Sequence, residues 1–155
     1  MLNAEDIKRL IPQAVEWVRE EESIALSRGA KLTAAQVSDA IAMGVRDPGQ
    51  VRTLSVSDMP VPKDAELRQA AEEFGLISPT TRGMAMGHGV LVRTDFWTDR
   101  LVIAHELVHV GQYERLGGVL PFLQAYVAEC DQFGYPNGPL EREAIERSER
   151  LVRGV

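Results

Sequence analysis

The 155-residue chain has a single cysteine, Cys130. No internal disulfide can form, so the fold does not depend on an oxidising compartment. Cys130 falls among apolar helical positions, which reads as a buried structural thiol rather than a nucleophile. A basic block is also missing: 17 Lys and Arg stand against 23 Asp and Glu, for a formal net charge of −6. That excludes the electrostatic footprint of a nucleic-acid binder and carries no substrate preference. No apolar run is long enough to cross a membrane, and the N-terminal MLNAEDIKRLIPQ lacks the apolar stretch of a signal peptide. A cytoplasmic location, with no membrane or nucleic-acid partner, is the default expectation. Repeats, low-complexity tracts and linkers are absent too. With 45% apolar and 26% charged residues, residues 1–155 are expected to form one domain around one core.

What is present is mostly helical periodicity. Ile7, Leu10, Ile11, Ala14, Val15 and Val18 recur at helical spacing, and Pro12 suggests a short helix followed by a longer one. Thr33 and Gln36 make a capping-box pattern for a second helix, stopped by Gly44. Residues 51–56 read as a strand, and Leu67, Ala70, Ala71 and Phe74 mark a third helix closed by Gly75. Residues 83–93 alternate as a single strand with one nearly bare glycine-rich face. A helix is then predicted from about Asp99 to Leu116, with Thr98 as N-cap and Gly117-Gly118 as the break. Pro121 and Pro139 open the last two helices. About six helices with two or three strands define an α+β domain.

The chemistry concentrates in His105-Glu106-Leu107-Val108-His109, an H-E-x-x-H pattern. Residues four apart on a helix are separated by roughly 40° around the axis and roughly 6 Å along it, so both imidazoles can meet one tetrahedral ion. Glu106 is rotated away from both and can act as a base on water activated by zinc without being a ligand. The chain has only three histidines, two of them here. The surrounding helix is apolar nearly all round, and polar groups buried in it need partners.

This pattern resembles the zincin metallopeptidases, and HELVHVGQ is similar to the active-site helix of small bacterial members. In the glutamate-zincin branch a third ligand comes from a later helix, within E-x-x-A-[DN]. Glu141-Arg142-Glu143-Ala144-Ile145 offers that match, and the resemblance implies Zn2+ held by His105, His109 and Glu141, with Glu106 as general base in peptide-bond hydrolysis. Ile145 departs from the pattern, so another group must orient a ligand histidine. Glu143 competes with Glu141, and a helical wheel leans only slightly towards Glu141. Glu129 and Asp131 stand outside. The resemblance further implies a minimal zincin fold, whose peptide or protein substrate lies along a sheet edge before the metal helix, here Gly87 to Arg93. His88 on that edge, or Tyr113, Tyr126 and above all Tyr135, could assist substrate or oxyanion binding. The alternative is a non-enzymatic zinc-binding interaction module.

Overall fold

The structure, a computed structural model, describes residues 2–155. Helix α1 (Ala4–Arg28) starts at a capping box: Asp6 N–H donates to Asn3 Oδ1 at 2.9 Å, and Asn3 N–H donates back to Asp6 Oδ2 at 3.2 Å. Pro12 lies inside this continuous helix and does not divide it as the sequence suggested. It removes one hydrogen bond, while Leu10, Val15 and Val18 are buried on both sides of it and hold the helix in place. At Gly29 the chain leaves the helix so closely that a Cβ would come within 2.5 Å of the Ala25 carbonyl oxygen.

Next follow β1 (Ala30–Lys31), α2 (Ala34–Ala42), β2 (Arg52–Val56) and α3 (Ala65–Glu73). The Thr33–Gln36 capping box opens α2 as expected. Strands β3 (Gly83–Met86) and β4 (Gly89–Arg93) form a hairpin. Helices α4 (Arg100–Leu116), α5 (Val119–Phe133) and α6 (Pro139–Arg153) complete the chain. Asp99 caps α4, accepting from Val102 N–H at 3.1 Å, so the cap falls one residue after Thr98. The six helices and a small mixed sheet make an α+β fold. No helix among the described residues is long and apolar enough to cross a membrane.

The sheet order is β1-β2-β4-β3, with β2 and β4 parallel and the other pairs antiparallel. This corrects the single strand expected over residues 83–93. A two-residue turn at Gly87-His88, with Gly87 at φ +63°, pairs Met86 with Gly89. The turn inverts the parity of the pattern: Met84, Met86, Gly89 and Leu91 share one face, and Gly83, Ala85, Val90 and Val92 the other. There is consequently no bare face. Val90, Leu91 and Val92 are all buried, because β4 lies inside the sheet with helices on both sides. A Cβ on Gly89 would meet Ala25 of α1, and one on Gly83 would meet Val102 and Glu106 of α4. The free edge upstream of α4 is therefore β3 rather than Gly87 to Arg93. Beyond that edge α5 packs against both α1 and α4.

Candidate metal centre

Helix α4 is buried along most of its length, and its inner face carries His105 and His109 with ring centroids 5.0 Å apart. Pro139 opens α6, which places Glu141 in the first turn beneath them. The Glu141 carboxylate divides between the two rings: Oε1 lies 2.9 Å from His105 Nε2 and Oε2 lies 3.0 Å from His109 Nε2. The ligand atoms of the three residues all fall within 4.8 Å of one another. His109 and Glu141 are buried and His105 is partly so. Two imidazole nitrogens and a carboxylate oxygen are a donor set that a divalent transition metal accepts. Burial opposes ionisation of Glu141, but the two imidazoles outweigh it and hold its pKa well below the usual carboxylate range. For His109 burial likewise opposes the charged form, and the Glu141 carboxylate overcomes it, raising the pKa.

The other acidic candidates are engaged elsewhere. Glu143 accepts from Gln112 Nε2 at 2.7 Å and Arg115 Nη2 at 3.1 Å. Glu129 Oε1 accepts the Leu140 N–H at 2.7 Å, at the start of α6. Asp131 is exposed on α5. Only Glu141 faces the imidazoles. Glu106 lies beside the group but outside it, and is buried. Burial raises its pKa, against the opposing pull of His105 and His109.

Two residues support the cluster in ways the sequence reading missed. Gln112 is fully buried. Its Nε2 faces two acceptors, the Leu140 carbonyl at 2.9 Å and Glu143 Oε1 at 2.7 Å, so its Oε1 must be the atom 2.8 Å from His109 Nδ1. His109 therefore donates from Nδ1, which leaves Nε2 as its nitrogen for the cluster. Gln112 supplies the orientation that Ile145 cannot. Its position three residues after His109, on the same helix face, was the available signal. Tyr126 is the second: its hydroxyl donates to Glu141 Oε2 at 2.7 Å.

Of the remaining candidates, Tyr113 donates to the Ala85 carbonyl at 3.2 Å. His88 is not at the cluster. Its Nε2 lies 3.0 Å from Glu114 Oε2 and its backbone N–H donates to Glu22 at 2.7 Å, tying the hairpin turn to α4 and α1. Tyr135 does line the cavity in front of the cluster. Partial burial, with Glu141 and Glu106 nearby, pushes its phenol up to about 12, so it keeps its proton as a donor at neutral pH. Its ring rests on Gly75, where a Cβ would come within 2.7 Å. Burial pushes the Cys130 thiol up to about 12, consistent with an inert residue.

The cluster opens into a cavity of about 700 Å³. Ser78, Thr80, Arg82, Leu101, Tyr135 and Pro136 are its exposed wall residues, while Leu10, Val18, Leu67 and Ala70 are among the buried ones. Compared with family models, curated proteins and solved structures, the chain matches none.

Proposed function

We propose that the chain is a zinc-dependent hydrolase of the zincin type, acting on an amide bond with Glu106 as general base. One observation carries the reading: His105, His109 and Glu141 converge within 4.8 Å at the wall of a large cavity, with a second buried carboxylate, Glu106, beside the group and not in it. The donor set suits several divalent metals, and zinc is the one that the H-E-x-x-H pattern implies. When bound, it would supply a Lewis acid able to bring the pKa of a water towards neutrality.

The chain's own groups have separable tasks. Gln112 fixes the His109 tautomer, and Tyr126 holds the Glu141 carboxylate. Glu106 accepts a proton from water and passes it to the departing nitrogen; its raised pKa suits a group that must take a proton and then release it. Tyr135 offers a protonated hydroxyl to the negative charge that develops on the carbonyl oxygen. The rival, a structural zinc in an interaction module, needs a closed site with a fourth protein ligand, and among the described residues the group has three.

The test is metal content and turnover together. Purified protein should hold about one zinc per chain, measured by elemental analysis. Glu106→Gln should keep the metal and the melting temperature while losing about a hundred- to ten-thousandfold in turnover. Equal cleavage of a peptide and acyl-peptide library by both proteins would sink the reading.

A further inference from the structure

The buried apolar residues fall into two clusters, a main core and a small one made by Leu10, Leu67 and Ala70 of α1 and α3. The cavity is the space between them, with walls from both. Protein interiors pack to the density of organic crystals, with few voids larger than a water molecule. A void of about 700 Å³ is instead the size that takes a whole small ligand. Its lining from Ile7 to Val18 follows α1 for roughly 16 Å, at 1.5 Å per residue. The inner wall is hydrocarbon, which holds water poorly.

A peptide backbone would find few partners there. Antiparallel pairing turns the N–H and C=O of Gly83 and Ala85 out from the β3 edge. Tyr113 already takes the Ala85 carbonyl. The two groups of Gly83 and the Ala85 N–H are left, a short edge for an extended strand, and an unpaired backbone amide inside the cavity is costly. A chain of methylenes has no such need.

We infer that the cavity is an acyl-chain subsite: the substrate is an amide whose carbonyl bears a long unbranched hydrocarbon chain, lodged between the small α1/α3 cluster and the main core. This rests on the hydrolase reading above. In the reaction water adds to the acyl carbonyl carbon and the C–N bond breaks. Glu106 carries the water's two protons in turn to the nitrogen, giving a fatty carboxylate and an ammonium group, with nothing oxidised or reduced.

Trp17 lines the cavity and Trp97 does not, so Trp97→Phe leaves one fluorescent reporter. Straight-chain 1-alkanols from butanol to decanol are titrated into this protein without metal. Affinity should rise about fourfold per methylene while the chain still finds wall to cover. Ala71→Phe on α3 and Ala14→Met on α1, which narrow the cavity from opposite sides, should end the rise at a shorter alcohol without lowering the melting temperature. Two variants guard against one failing to fold. In the zinc-loaded protein, peptides bearing a decanoyl group should lose it, and their N-acetyl counterparts should be cleaved far more slowly. An affinity that stops growing at butanol, the size of one leucine side chain, overturns the inference, as does a rise indifferent to both narrowing variants, or cleavage of internal peptide bonds only. Alkanol binding that survives in a protein taking up no zinc would sink the hydrolase reading and leave the subsite. A zinc-loaded peptidase with no chain-length dependence would do the reverse.

Discussion

Between α4 and α6 the buried side chains are polar and held to one another; around α1 and α3 they are apolar and border a gap. On the first side His109, Gln112, Glu141 and Ser148 are all buried, and no buried side-chain nitrogen or oxygen among the described residues lacks a partner. On the second, Leu10, Leu67 and Ala70 form their own small cluster, separated from the main core by the cavity. Satisfied buried polar networks fix one arrangement, since each group left unpaired carries its full desolvation penalty. Apolar surfaces across a void specify much less and can adapt to what enters. The chain thus sets a rigid reactive wall against a yielding one.

The largest expected effect is on the rigid wall. Glu141→Gln removes the carboxylate that both imidazoles face and should weaken zinc binding well beyond the 10- to 100-fold typical of an outer-shell change. It should also lower the melting temperature of the metal-loaded protein, because binding adds to folding stability. Competition with a chelator measures it. Glu143→Gln should change little, since an amide oxygen can still accept from Gln112. If Glu143→Gln proves the weaker binder, the contrast between the two glutamates is wrong.

Packing should differ in the same sense. Leu107 is fully buried on α4, while Leu67 on α3 borders the void. Leu107→Ala should cost about 4 kcal/mol and Leu67→Ala about 2 kcal/mol, the upper and lower parts of the range for such truncations. The reason is that α3 can settle towards the gap and α4 cannot. Denaturant titrations of both variants give the comparison, and equal losses would mean that the two sides are packed alike.

How legible these walls were follows from how local they are. The HExxH pair, the Thr33–Gln36 box and the start of α6 at Pro139 are set by neighbours within one turn, and the sequence expectations for them match the fold. Glu141 over Glu143 was a slight lean, because a helical wheel knows nothing of how α6 rolls against α4. Gln112 was missed for a related reason: its role depends on Leu140 and Glu143 arriving from another helix. The hairpin was misread because Gly87-His88 is a turn too short to break the alternation and shifts its parity unseen. The cavity could not be read at all, since it is a space between α1, α3 and α5, segments far apart in the chain.

Gln112→Ala tests the rigid wall more gently. It leaves every ligand atom in place and removes only the acceptor for His109 Nδ1. Zinc affinity should fall 10- to 100-fold, and the fold should survive. Gln112→Ala binding zinc like the parent would show that packing alone orients the ring.

The smallest effect to be resolved is the pH dependence of zinc affinity, and its sign follows from the two partners' shifts. His109 without metal has its pKa raised above the ordinary 6.5, chiefly by the Glu141 carboxylate working against burial. That pairing stabilises the metal-free fold fully below pH 6.5 and is lost as pH rises through the raised value. Zinc needs the neutral imidazole, so it competes with that proton. Affinity should therefore climb about tenfold per pH unit, one proton displaced, up to the raised His109 pKa, and flatten above it. Glu141 contributes nothing to this slope, because its pKa is held well below the range and it is already ionised. Above pH 6.5 the metal-free protein loses stability while the metal-bound form, with His109 neutral, does not, so the gap in melting temperature between the two should widen with pH up to the raised value. Melting curves with and without zinc at several pH values give the gap. A constant gap would mean that His109 carries no proton in the metal-free protein.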